Sequence, residues 1–149
     1  MRIPLPSETV FHDIERSIKE YRKFSQRNIS EAIPDITIDQ GMILLFLDRY
    51  PELSQKEIAE LIFRDNASMT RMINIMVKNK YLNRSINEQD RRRFHLVMTP
   101  KGKEVLTKLP PIIVNNRAQS LMGISEEEQF QLKTILKKIT QNCTKLNAL

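Results

Sequence analysis

The sequence predicts a mainly α-helical protein carrying one small β-hairpin, and three observations predict it. Apolar residues recur at spacings of three and four through most of the chain, as in helices with one buried stripe. Two boxes, Thr37-Ile38-Asp39-Gln40 and Ser54-Gln55-Lys56-Glu57, have the composition that satisfies free N–H groups at a helix start. Only 81–86 and 94–98 read as short strands, joined by the polar loop Asn87-Glu88-Gln89-Asp90.

Taken in order, a long helical pattern opens at Ser7-Glu8 and aligns Phe11, Ile14, Ile18 and Tyr21 on one stripe. It lapses into a connection near Asn28 to Pro34. The helix that follows the Thr37 box is apolar nearly all round through Met42 to Leu47, which places it at the centre of the core. Pro51 ends it. The Ser54 box opens a short helix bearing Ile58, Ala59, Leu61 and Ile62, and Asp65 or Asn66 caps the next, which runs to about Asn79. Successive 100° steps put Met69, Met72, Ile73, Met76 and Val77 on one side of that helix and Ala67, Arg71, Asn74 and Lys78 on the other, with Ser68 and Thr70 on the flanks. Two short helices with a tight connection form a helix-turn-helix candidate.

In the second strand Phe94, Leu96 and Met98 face one way, and Arg93, His95 and Val97 the other. Thr99-Pro100 starts a further helix, with Thr as N-cap and Pro in its favoured first position. The Pro110-Pro111 pair is expected to kink or break it, because each proline removes a donor. Gly123 and Ser125-Glu126-Glu127-Glu128 mark another stop and start. The last helix carries Leu132, Leu136, Ile139, Cys143 and Leu146 at heptad spacing.

A length of 149 residues suits one domain with a real core. With 40% hydrophobic and 28% charged residues and three glycines, the composition is that of a globular, helix-rich chain. No apolar run approaches the roughly 18 residues of a membrane span, and MRIPLPSETVFHDIER meets acids and prolines too soon for a secretory leader. A cytoplasmic protein with no membrane partner is therefore expected. The single Cys143 excludes an intrachain disulfide framework.

The net charge of +6 is unevenly placed: residues 64–103 hold 10 basic and 3 acidic groups, while residues 1–63 hold 8 and 11. A scattered surplus reads as a solvated surface; one concentrated in 40 residues points to a polyanionic partner. A helix that enters the major groove of double-stranded DNA needs small or polar residues near its N-terminus, and cations for phosphates. Asn66, Ser68, Thr70, Arg71 and Asn74 meet that requirement, although the same residues also suit an ordinary wet helix face. The hairpin weights the choice, since it brings Arg91, Arg92 and Arg93 to a loop tip from which an arginine can enter the minor groove. Asp90 would steady that loop by accepting a guanidinium hydrogen bond.

Taken together, Ile36-Thr37-x-x-Gln40, Ser54-Gln55-Lys56-Glu57-Ile58-Ala59, Thr70-Arg71, Asp90-Arg91-Arg92 and Leu96-x-Met98-Thr99-x-x-Gly102 closely resemble the MarR family of bacterial transcriptional regulators. The resemblance runs from about residue 36 to 106. It implies a winged helix-turn-helix over 36–100 and dimerisation helices over 1–35 and 101–149, in an obligate homodimer. It further implies a pseudo-palindromic operator, usually repressed and released through a small-molecule effector or an oxidant. By position, Ser68, Thr70 and Arg71 lie on the recognition helix, Asp90 to Arg93 form the wing, and Arg92 matches the arginine that probes the minor groove.

Three departures from the family stand out. Gly41 replaces a frequent aromatic residue, which is expected to enlarge or reshape a cavity. Lys80 replaces the glycine that usually ends the recognition helix, which is expected to stiffen that end or cap it differently. Pro110-Pro111 is expected to bend the dimerisation helix and alter half-site spacing. Cys143, on an apolar stripe, is expected to be buried and inert. With one cysteine and two distant histidines, His12 and His95, neither a metal site nor a cofactor is expected. No phosphate-cradling glycine loop or nucleophile elbow favours an enzyme. A non-specific architectural DNA-binding protein and a winged helix used only for protein contacts remain as alternatives.

Overall fold

The computed structural model describes residues 3–86, 88–89 and 94–148. It forms two compact units, Met1–Asn116 and Arg117–Leu149. Among the described residues there are six α-helices and one two-stranded hairpin: α1 (Val10–Ala32), α2 (Ile38–Arg49), α3 (Gln55–Leu61), α4 (Asn66–Lys78), β1 (Leu82–Ile86), β2 (Phe94–Met98), α5 (Pro100–Ser120) and α6 (Glu126–Asn147). None of these helices is long and apolar enough to cross a membrane.

In the first unit α1 starts later than the sequence suggests. Pro6–Glu8 form one 3-10 turn, and the Thr9 hydroxyl then caps α1 by accepting from the His12 N–H. At its other end α1 runs through Asn28 to Ala32, where the sequence pattern implied a connection. Polar residues of this last part of α1 have tertiary partners: Asn28 Nδ2 donates to Asn116 Oδ1 at 2.7 Å, and just before it the Gln26 amide donates to Ile36 O and accepts from Ile38 N–H. Ile29 and Ile33 are buried in the core.

The two sequence boxes close as drawn. Thr37 Oγ1 accepts from Gln40 N–H at 3.2 Å while Gln40 Oε1 accepts from Thr37 N–H at 3.0 Å, and Ser54 and Glu57 repeat the exchange. Ile43, Leu44 and Leu47 of α2 are buried in a core that includes Ile58, Met69, Ile73, Met76, Leu82, Leu96, Val105 and Leu109. Met42, Leu45 and Phe46 pack against it, so α2 is central, as its all-round apolarity requires. Gly41 does not open a cavity. A Cβ there would fall 2.9 Å from Leu109 Cδ2, so the Leu109 side chain already fills the space that the missing side chain leaves.

Helix α5 is continuous across Pro110 and Pro111. The prolines deprive the carbonyls of Leu106 and Thr107 of their intrahelical donors. Both rings are exposed, however, and buried Val105 and Leu109, followed by the partly buried Ile112 and Ile113, pack on the core on either side of the pair. Packing of that face holds the helical phase where propensity alone would not.

The second unit ends α5 at Ser120 and turns through Gly123 at φ 78°. Helix α6 is capped by Ser125, whose hydroxyl accepts from Glu128 N–H as Glu128 accepts from Ser125 N–H. Leu132 and Leu146 are exposed, with Leu136 and Ile139 intermediate. Cys143 is exposed in this chain, contrary to the expectation of a buried thiol, because α6 has no buried residue at all.

Candidate nucleic-acid interface

Helix α4 begins at the cap chosen by its sequence. Asp65 accepts from Ser68 N–H at 2.8 Å, and its other oxygen accepts from the Ser68 hydroxyl at 3.1 Å. These bonds favour the ionised form and hold the Asp65 carboxyl below its usual range. Met69, Ile73 and Met76 are buried, which turns Asn66, Ala67, Thr70, Arg71, Asn74 and Lys78 outward. Ser68 is half-buried and engaged at the cap, so its hydroxyl faces the helix start before any ligand. Thr70 is exposed, and its Oγ1 accepts from the Gln55 amide at 2.9 Å, which ties the outer face of α4 to α3.

Both helices of the helix-turn-helix are followed by left-handed residues that are not glycine. After α3, Phe63 stands at φ 57°, with Phe63 N–H on Glu60 O and Arg64 N–H on Ala59 O. After α4, Lys80 stands at φ 63°, with Lys80 N–H on Val77 O and Tyr81 N–H on Met76 O. Each is the paired-bond termination that glycine usually supplies. Lys80 therefore keeps the geometry of the glycine it replaces, rather than capping the helix differently, and does so with a strained backbone.

The end of α4 is held by the start of α5. Thr99 Oγ1 lies 2.6 Å from Lys80 O and 3.1 Å from Tyr81 O, and accepts from Gly102 N–H. Lys101 Nζ donates to Asn79 O at 3.0 Å and sits 4.4 Å from the centre of the Tyr81 ring. Gly102 is required here: a Cβ would stand 2.4 Å from Tyr81 O and 2.7 Å from Met98 Cγ.

The hairpin projects from this base. Its register pairs Leu82 with Met98, Arg84 with Leu96 and Ile86 with Phe94. Along that face burial falls from Leu82, fully covered, to Ile86 and Phe94, which are 63% and 55% exposed. Arg84 lies over the Phe94 ring, 5.9 Å from its centre. Sequence reading passed over this exposed arginine because it lies in a strand rather than in the arginine run. Asp90, Arg91, Arg92 and Arg93 lie outside the described residues.

The structure thus brings Asn66, Thr70, Arg71 and Asn74 onto one open face of α4, followed by a hairpin rooted in the core at Leu82 and Leu96 and exposed at Ile86 and Phe94. The segment 36–94 matches the family model described as MarR family. Residues 36–94 form a MarR-family domain. A curated relative in Bacillus subtilis, the uncharacterized HTH-type transcriptional regulator YkoM, is 28% identical over 135 residues, spanning 85% of this chain and 87% of its own. Among solved structures, Bordetella bronchiseptica BpsR, studied for regulation of its DNA binding by 6-hydroxynicotinic acid, matches with a TM-score of 0.82 and 21% identity, over 93% of this chain and 98% of its own. The S. aureus MepR–DNA complex matches with a TM-score of 0.81 and 23% identity, over 90% and 98%. The fold is the winged helix-turn-helix of MarR-family DNA-binding transcriptional regulators.

Proposed function

We propose that the protein is a sequence-specific regulator of transcription, acting as a homodimer on a pseudo-palindromic operator and released by a small-molecule effector, with repression as the outcome of binding. The observation that carries this reading is the open face of α4. Asn66, Thr70, Arg71 and Asn74 are all exposed there, above a buried row of Met69, Ile73 and Met76 that fixes their direction. Asn is suited to adenine and Arg to guanine in the major groove. In sequence Arg91, Arg92 and Arg93 continue the same basic segment, and we assign them to the minor groove, with Arg92 to probe it and Asp90 to steady the loop, as the family resemblance implies.

Pairing of two chains is supported by apolar surface left open in one. Phe11 and Ile18 of α1 are 57% and 52% exposed, and Phe130, Leu132 and Ile135 of α6 are exposed as well. Such stripes need burial, and a two-fold protein suits two half-sites one helical turn apart. That MepR was solved with DNA, and BpsR studied with 6-hydroxynicotinic acid as the regulator of its DNA binding, supports the same activity and a small effector for this chain.

Footprinting on the chain's own upstream region, at several salt concentrations, tests the reading. A protected pseudo-palindrome whose affinity falls steeply with salt is expected. Uniform protection of all sequences would make the protein architectural, and absence of DNA binding would leave the winged helix a protein-contact module.

A further inference from the structure

Asp39 is buried, yet its carboxylate receives two arginines from distant parts of the chain. Arg22 of α1 donates to Oδ1, and Arg64 donates from Nε to Oδ2 at 2.7 Å, with its Nη2 paired at 2.7 Å to the same oxygen. The Asp39 carboxylate is not the cap of α2: the N–H groups of Thr37, Ile38 and Gln40 donate to Gln40, Gln26 and Thr37 side chains instead. Charge balance does not require two arginines, since one would neutralise one carboxylate. The arrangement has a direction instead: Arg64 is the residue immediately before Asp65, the cap of α4.

The neighbouring residue points the same way. Phe63 holds a left-handed backbone while 90% exposed, so the strain of that turn is not repaid by burial of its ring. What the turn achieves is placement of Arg64, which swings back toward Asp39.

We infer that Asp39 is a positioning residue for DNA recognition. Through Arg64 it fixes the direction in which α4 leaves the turn, and through Arg22 it ties that direction to α1. Charge-assisted bonds to a buried carboxylate are stiffer than exposed ion pairs, and a helix that presents Asn66 and Thr70 to base edges must be held within a fraction of an ångström. The inference deepens the DNA-binding reading and rests on it.

Asp39→Asn, Arg64→Gln, their double variant and Arg64→Lys are measured as full-length protein on operator duplexes. The assays use a salt series, with half-sites at native spacing and one base pair nearer or farther. Asp39→Asn is expected to weaken binding roughly threefold to thirtyfold, with the salt slope of the wild type. Its preference among spacings should flatten, and the double variant should bind no worse than the weaker single variant. Arg64→Lys, which keeps charge but loses the forked contact, should fall between. A purely structural ion pair would lower the denaturation midpoint and leave spacing preference intact, which overturns the proposal. Direct phosphate binding by Arg64 also overturns it: Asp39→Asn would then free a cation and tighten binding, and Arg64→Gln would lower the salt slope by about one. A wild type that binds no duplex would remove the DNA-binding reading itself, a result distinct from equal binding by wild type and Asp39→Asn, which removes only the inference.

Discussion

Gly102→Ala probes the junction between α4 and α5, and its cost can be worked from distances. The added methyl would sit 2.4 Å from Tyr81 O, where ordinary contacts begin at 3.4 Å, so one backbone must retreat by about 1 Å. The same carbonyl accepts from Thr99 N–H at 3.1 Å, and Lys80 O accepts from the Thr99 hydroxyl at 2.6 Å. Retreat stretches both beyond bonding range, at about 1 kcal/mol each. Crowding of Met98 adds about 1–3 kcal/mol. The better helix propensity of alanine returns about 1 kcal/mol. The net expectation is a loss of about 2–4 kcal/mol, read from urea midpoints at fixed protein concentration. A neutral or stabilised variant would refute the reasoning, because the junction would then open without cost.

Three further outcomes follow from the same geometry. Lys80→Gly should raise stability by about 0.5–1 kcal/mol, since glycine adopts the left-handed cap without the Cβ clash, and a lower urea midpoint would contradict it. Asp65→Asn keeps a cap but removes its titration. Because the folded Asp65 carboxyl is held below its usual range by the Ser68 N–H and hydroxyl, its contribution is complete above the unfolded value, about 3.9, and is lost as pH falls through the lower folded one. The stability difference between wild type and Asp65→Asn should therefore shrink only below about pH 4, and a difference constant from pH 7 to 3 would contradict it. Arg71→Ala should cost roughly 1–3 kcal/mol in operator binding with discrimination relaxed at one base position, whereas a uniform loss across sequences would make Arg71 a phosphate contact.

The features legible in the sequence were those decided within four residues. Thr37-Gln40, Ser54-Glu57, Asp65 and Thr99-Pro100 all start helices where local capping chemistry puts them, and the hairpin strands fall within one residue of their pattern. What escaped was set by tertiary contacts. Asn28 looks like a loop residue until its partner Asn116 is known. Pro110 and Pro111 look like a break until the flanking apolar residues are seen to pack on the core. Gly41 suggested a cavity because sequence does not reveal that Leu109, 68 residues away, fills it. The open face of α4 was legible because helical periodicity alone separates Arg71 and Asn74 from Met69 and Ile73. Arg64 was not, since its partner Asp39 lies 25 residues back and only the folded turn brings them together.

The central claim is that the exposed face of α4 enters the major groove of two symmetric half-sites. It is tested most directly by placing a single cysteine at that face, Asn74→Cys with the exposed Cys143→Ser, and attaching a DNA-cleaving iron chelate. The account predicts two symmetric clusters of cuts in the major groove, about 10 base pairs apart or a multiple of that. Cuts spread evenly along the duplex, or confined to the minor groove, would contradict it.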